Sequence, residues 1–203
     1  MKGIYIKNNN VVWHDGLVTM EDRNRSNGYK SGIVWFTGLP GAGKSTIAHG
    51  VEKELFERNI GSYVVDGDNI RHGINSDLGF GRDDRKENLR RIAWISKLFV
   101  DAGVTVLAAF ISPYKEDREQ LRRMFEDNIF LEVYVKCRPE ICEQRDPKQQ
   151  YKKARAGILK QFTGISAPYE VPEHPDLIIN TEELNIGESI KAVRETLERY
   201  LKL

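Results

Sequence analysis

From Gly32 onward the chain alternates short apolar runs with amphipathic stretches. Ile33–Thr37 (IVWFT), Ser62–Asp66 (SYVVD), Val104–Phe110 (VTVLAAF), Phe130–Lys136 (FLEVYVK) and Leu177–Asn180 (LIIN) are β-branched or continuously apolar. That is the pattern of strands covered on both faces. Between them, Lys44–Arg58, Asp84–Asp101, Lys115–Phe125, Pro139–Arg145 and Ile186–Leu201 read as helices. Leu89, Ile92, Ser96 and Phe99 share one helical face, and Ile186, Ile190, Val193, Leu197 and Leu201 form one stripe. Five strands alternating with helices predict an α/β fold, a five-stranded parallel sheet flanked by helices.

Two segments depart from this rhythm. Asp146–Pro175 is Lys-rich and punctuated by Gly and Pro. It is far longer than the usual connection of roughly 4–6 residues, so its first part, about 146–167, is a candidate lid. Residues 1–31 are polar and turn-rich, with Asn8-Asn9-Asn10 and only Val11-Val12-Trp13 and Leu17-Val18 as apolar anchors. They predict an N-terminal extension packing on the domain or on a partner subunit, ahead of one domain at 32–203.

Composition narrows the partners. Thirty-one Lys and Arg against thirty Asp and Glu leave a net charge of +1, which argues against a nucleic-acid partner held by bulk charge. The two cysteines, Cys137 and Cys142, cannot form a disulfide framework. No apolar stretch is long enough for a membrane span, and the N-terminus lacks a signal-peptide run. A cytoplasmic globular domain without membrane attachment is expected. His14, His49, His72 and His174 show no metal-ligand spacing.

The strongest chemical signal is Gly38-Leu39-Pro40-Gly41-Ala42-Gly43-Lys44-Ser45-Thr46, which follows a strand and opens a helix. It matches the phosphate-loop pattern, in which backbone N–H groups and a helix N-terminus cradle an anion. Lys44 can reach the β- and γ-phosphates and Ser45 can ligate Mg²⁺. A nucleoside triphosphate with Mg²⁺ is therefore the expected ligand. The next strand ends in Asp66-Gly67-Asp68-Asn69-Ile70-Arg71. In a parallel sheet that edge faces the ligand crevice, so one carboxylate can serve the metal and the other a substrate hydroxyl, rather than forming a solvated Asp-Gly turn. Phe80, in a Gly-flanked loop, can stack on a base. Arg85 and Asn88 share a helix face that could be simply solvated, or could grip an anion and a hydroxyl. Ser112, at the end of the third strand, reads equally as a Ser-Pro turn or as a hydroxyl facing phosphates. The lid offers Arg145, Lys160 and Phe162 among cations and aromatics suited to closing over a nucleotide.

The ordered set GLPGAGKST, DGDNIRHG, LGF, DRKENLRR, FISPY, YKKARAG, FTGI and PYE resembles the adenylylsulfate kinase family from about Trp13 to the C-terminus. The resemblance implies the P-loop-containing nucleotide kinase fold. It also implies transfer of the γ-phosphate of MgATP to the ribose 3′-hydroxyl of adenosine 5′-phosphosulfate (APS), giving 3′-phosphoadenosine 5′-phosphosulfate (PAPS) and ADP in sulfate assimilation. Carried over by position, Gly38–Thr46 and Arg145 hold ATP, with Arg145 at its adenine, and Ser45 and Asp66 serve Mg²⁺. Asp68 activates the 3′-hydroxyl. Arg71, Arg85 and Asn88 hold the phosphosulfate and ribose, Phe80 and Phe162 sandwich the substrate adenine, and Ile111 and Lys160 lie on the substrate side. Ser112 matches a serine assigned elsewhere as a phosphoserine intermediate, although in-line transfer needs only positioning and charge neutralisation, so a hydrogen-bonding role serves as well. A homodimer and functional coupling to sulfate adenylyltransferase are further implications. The sequence departs from the family pattern at Pro40 and Ala42, which lie between the required glycines, and at Gln149-Gln150, where the family has Gly-Leu. The alternatives are another small P-loop kinase with a sugar or nucleoside acceptor, or a nucleotide-dependent regulatory ATPase. A switch needs no second pocket such as Phe80, Arg85, Asn88 and Phe162 suggest.

Overall fold

In a computed structural model of the chain, residue 12 and residues 14–125 and 129–201 are described. The expected anchors Val11 and Trp13, and Asn8–Asn10, lie outside the described residues. In chain order the elements are α1 (Met20–Asn27), β1 (Ile33–Thr37), α2 (Lys44–Glu57), β2 (Ser62–Asp66), α3 (Gly67–Ile70), α4 (Arg82–Asp101), β3 (Thr105–Ala109), α5 (Lys115–Arg122), β4 (Phe130–Lys136), α6 (Pro139–Arg145), α7 (Gln150–Arg155), β5 (Leu177–Asn180) and α8 (Ile186–Leu201).

All five strands are parallel, in the order β2-β3-β1-β4-β5. The two-residue strand period splits the core between the faces. Val34 and Phe36 of β1 join Ile47, Val51 and Leu55 of α2 and Val193, Leu197 and Leu201 of α8. Ile33 and Trp35 join Leu89, Ile92 and Val100 of α4 and Leu121 of α5. Trp35 lies between Phe110 and Phe130, with ring centroids 5.2 and 6.4 Å away.

The chain leaving β1 heads for β2 near one edge, while the chain leaving β4 heads for β5 at the other. Loops that diverge in this way open a crevice at the carboxyl ends of the strands, and the site occupies it. Among the described residues no helix is long and apolar enough to cross a membrane, and both cysteines are free and buried.

The apolar pattern did not foreshadow α1, α3 or α7. None of the residues of α1 is buried, so it carries no apolar stripe, and it forms on its caps. Thr19 and Asp22 make a reciprocal capping box, and Gly28 closes the helix at φ 77°. Polar contacts hold this segment to the sheet's amino edge, the end opposite the crevice. Asn27 Nδ2 donates to Gly103 O at 3.1 Å, Ser31 Oγ lies 2.7 Å from Val100 O, and Gly61 N donates to the Tyr29 hydroxyl at 2.7 Å.

Candidate active site

β1 delivers the chain to the phosphate loop, and α2 begins directly after it. A Cβ on Gly38 would sit 2.5 Å from the Val135 carbonyl oxygen of β4, so only glycine lets the loop leave the sheet here. Gly43, at φ 104°, turns the backbone into α2. The Lys44 side chain is buried and curls back over the loop, donating to Gly38 O at 2.9 Å and Leu39 O at 2.7 Å. Burial depresses its ammonium to about 8, partly opposed by the nearby Asp66 and Asp68 carboxylates.

Asp66, at the end of β2, is held from two sides. Its Oδ2 accepts from Ser45 Oγ at 2.6 Å, and its Oδ1 accepts from Asp68 N at 2.9 Å, capping α3. The second carboxylate, Asp68, is half exposed at the cavity wall and pairs with Lys148 of the lid segment.

Two arginines build the opposite wall. Arg71 Nη1 donates to Leu78 O and to Gly79 O, each at 2.9 Å, and its guanidinium lies 4.3 Å from the Phe80 ring centroid. Arg85 Nε donates to Phe80 O at 2.9 Å, and its Nη2 donates to Gln161 O at 3.0 Å, tying the Phe80 loop to the lid segment. Desolvation pulls both guanidinium groups below their usual range. Phe80 itself is 58% exposed, whereas Phe162 is buried edge-on against Tyr151 at 5.0 Å. Asn88 is buried in α4, where Asn75 Nδ2 donates to its Oδ1 at 2.9 Å. That bond leaves the Asn88 amide hydrogens for the cavity.

Ser112 is buried just beyond β3. Its Oγ accepts from Trp35 Nε1 and donates to Thr37 Oγ1, both at 3.0 Å. The hydroxyl proton is thus turned toward the strand that feeds the phosphate loop. Arg145 Nη1 donates to Thr181 Oγ1 at 3.0 Å, and its Nη2 donates to Thr181 O at 2.7 Å.

Every residue assigned to the site from sequence except Gly38 and Leu39 lines one cavity of about 1030 Å³. Those two stand behind the wall as acceptors for Lys44. The cavity also takes in residues that the sequence reading missed. Lys148 and Gln161 belong to the lid segment, whose basic, turn-rich sequence does not single them out from their neighbours. Tyr151 reaches across to donate from its hydroxyl to Pro40 O at 2.9 Å, joining the lid segment to the phosphate loop. Thr181, Leu184 and Asn185 lie on the loop after β5, and Ile186 and Gly187 open α8. The signal available for them was that this strand, too, ends at the crevice edge.

Residues 30–180 match the adenylylsulphate kinase family. The chain is 55% identical to the adenylyl-sulfate kinase of Staphylococcus carnosus over 193 residues, covering 95% of this chain and 97% of that one. It superposes on the APS kinase of Mycobacterium tuberculosis, solved in complex with AMPPNP and APS, with a TM-score of 0.81 at 47% identity, covering 83% of this chain and 98% of that one. A hexameric APS kinase from Thiobacillus denitrificans is 29% identical with a TM-score of 0.63, over 88% of this chain and 31% of that one. A fold with its phosphate loop at the sheet's carboxyl edge, a second pocket facing that loop and relatives matched over nearly their whole length together place this chain in the adenylylsulfate kinase family.

Proposed function

We propose that this protein transfers the γ-phosphate of MgATP to the ribose 3′-hydroxyl of adenosine 5′-phosphosulfate, giving PAPS and ADP. One observation carries the reading: a single cavity holds the phosphate loop at one end, the arginine- and phenylalanine-lined pocket at the other, and the Asp68 carboxylate on its wall.

The triphosphate lies on the loop N–H groups and the α2 N-terminus, with Lys44 swinging from the Gly38 and Leu39 carbonyls to the phosphates. Ser45 Oγ and Asp66 Oδ2, 2.6 Å apart, are a pair of hard oxygen donors that fits Mg²⁺. When bound, Mg²⁺ would be held by Ser45 and Asp66 and would neutralise phosphate charge. At the other end Arg71 and Arg85 meet the phosphosulfate, Asn88 donates to it or to the ribose, Phe80 and Phe162 take the adenine, and Ile111 and Lys160 complete the pocket. Asp68 accepts the proton of the attacking hydroxyl. Lys148, now paired with Asp68, holds that carboxylate at the wall until substrate enters. Arg145 contacts the ATP adenine. Transfer is direct: the Ser112 proton is engaged by Thr37, so this hydroxyl is not set up as a phosphate carrier. A cytoplasmic homodimer working beside a sulfate adenylyltransferase extends the reading. The free, buried cysteines suit a reducing compartment, and the hexameric relative supports self-association without specifying two subunits.

The test is ADP release from MgATP with and without adenosine 5′-phosphosulfate. Release should depend on the acceptor at micromolar concentration, and acceptor-independent release would overturn the reading. In the same assay Asp68→Asn should lower turnover by about 10²- to 10⁴-fold while calorimetry finds ATP binding intact. Lost ATP binding would instead place Asp68 on the donor side.

A further inference from the structure

Thr37 and the Pro168-Tyr169-Glu170 segment take no part in the chemistry above, yet they meet at Ser112. Trp35 Nε1 lies 3.0 Å from Ser112 Oγ, and Thr37 Oγ1 lies 3.0 Å from Ser112 Oγ, 2.8 Å from Ile111 O and 3.0 Å from the Tyr169 hydroxyl. Elimination places each proton. An indole N–H only donates and a carbonyl only accepts, so Trp35 donates to Ser112 and Thr37 spends its one proton on Ile111 O. Ser112 and Tyr169 must then both donate to Thr37 Oγ1, filling its two lone pairs.

The backbone makes the same connection a second time. Buried Arg118 donates from Nη1 to Ser112 O and from Nη2 to Glu170 O, each at 2.7 Å, and its Nε lies 3.0 Å from Glu132 Oε1. Glu170 N donates to Pro113 O at 2.8 Å, and Glu170 Oε2 accepts from Lys115 N at 2.6 Å, capping α5, whose own N-cap residue Tyr114 offers no side-chain bond. Ser112 sits at φ 40°, a left-handed conformation that a non-glycine residue adopts only when its surroundings hold it there.

The network joins three parts of the site. Thr37 is the last residue before the phosphate loop. Ile111 and Ser112 form the shelf on the acceptor side of the cavity, and Tyr169 stands just past the lid segment. The geometry points to Thr37 and Tyr169 as positioning residues, whose hydroxyls set the phosphate loop, the Ile111–Ser112 shelf and the foot of the lid segment in one register, and so the approach of the acceptor hydroxyl to the γ-phosphate. This role rests on the phosphotransfer reading above. A displacement of about 1 Å at a reacting centre can cost about 10²-fold in rate.

Three variants test it, each examined by steady-state kinetics in both substrates and by urea unfolding. Tyr169→Phe removes one hydroxyl, Thr37→Val removes the acceptor at nearly constant shape, and Thr37→Ser keeps it. Tyr169→Phe and Thr37→Val should each lower kcat by about 10- to 100-fold with KM for ATP unchanged. Thr37→Ser should keep near-wild-type kcat. The Thr37→Val/Tyr169→Phe double variant should be no slower than the slower single variant, because Thr37→Val already removes the bond that Tyr169→Phe deletes. A Tyr169→Phe enzyme with wild-type kcat, a loss confined to the unfolding midpoint, or additive losses in the double variant would each overturn the proposal. A second readout does not need the acceptor: trypsin cleavage at Lys148, Lys152 and Lys153 with and without AMPPNP. The nucleotide should protect the wild type, and Tyr169→Phe should lose most of that protection; unchanged protection counts against the role. Should the wild type fail to phosphorylate the adenylyl sulfate while the proteolysis difference persists, the substrate reading falls and the positioning role stands.

Discussion

On the donor side of the cavity the walls are mainly backbone: the phosphate-loop N–H groups, the first turn of α2, and Gly41 pressed against α6, with Gly38 behind them against β4. On the acceptor side they are side chains. Arg71 and Phe80 project from the stretch between β2 and α4 and Arg85 from the first turn of α4, while Phe162, Lys160 and Lys148 come from the lid segment. The donor half is set mainly by one contiguous stretch, with Asp66 and Arg145 added from elsewhere, and Cβ atoms on Gly38 and Gly41 would meet neighbouring backbone at 2.5 and 3.0 Å. The acceptor half is held by a few contacts, among them Arg85 to Gln161 O and Lys148 to Asp68. A site that must admit a substrate and then exclude water needs one fixed half and one that can part.

The fixed half carries a cost in Lys44. Its folded-state ammonium titrates near 8 against 10.5 for the free side chain, because burial disfavours the charge. Between those values the unfolded chain binds more protons than the folded one, so folding stability contributed by this group rises as pH climbs through the window. Below it, the buried charge is a standing penalty of about 3 kcal/mol. In the nucleotide-free protein Lys44→Met should therefore raise the unfolding free energy at pH 7 by up to about 3 kcal/mol and flatten the rise between pH 8 and 10.5. The same variant should lose stabilisation by ATP. Urea unfolding across that pH range checks this. A Lys44→Met protein no more stable than wild type would mean that the bonds to Gly38 and Leu39 outweigh desolvation.

The open half responds differently. Phe80 is 58% exposed and packs mainly on Arg71, so Phe80→Ala should change stability by no more than about 0.5 kcal/mol. A lost base stack is worth about 1–3 kcal/mol, and KM for the acceptor should rise roughly tenfold or more while KM for ATP stays put. Initial-rate kinetics in both substrates separate the two. A matching rise in KM for ATP would show that the halves are coupled through the Phe80 loop.

The same contrast governs what the sequence discloses. Gly38 to Thr46 is legible because a phosphate cradle is local: its glycines, lysine and serine must be neighbours in the chain. The strands and long helices are legible because their burial is periodic. Strand ends moved little, with β3 covering Thr105–Ala109 inside the expected Val104–Phe110. The acceptor residues were found one by one, but what joins them was not. Lys148 to Asp68 spans 80 positions and Tyr151 to Pro40 spans 111, and nothing in the local pattern announces such pairings. Ser112 shows the limit most plainly. Ser-Pro at a strand end allowed either a turn or a phosphate-facing hydroxyl, and the outcome depends on Trp35 and Thr37, which lie on a different strand. α1 escaped for the opposite reason, since caps without an apolar stripe leave no period to read.

Gln149 offers the gentlest test of the open half. The family pattern has Gly here, and the structure shows why: the residue sits at φ 53°, ψ 30°, heading α7 without a side-chain cap bond. A side chain in that conformation costs roughly 1–2 kcal/mol, offset by the smaller unfolded-state entropy of a non-glycine residue, about 0.4–1 kcal/mol. Gln149→Gly keeps the backbone bonds Gln149 N to Asp146 O and Lys153 N to Gln149 O and releases the strain. The unfolding midpoint should rise by about 1–3 °C, with KM for ATP unchanged. A midpoint at or below wild type would show that the left-handed turn is fully supported by its neighbours. The order of the lid segment would then rest on its long-range bonds, the one from Tyr151 to Pro40 among them, which would make even the movable half answer in part to the phosphate loop.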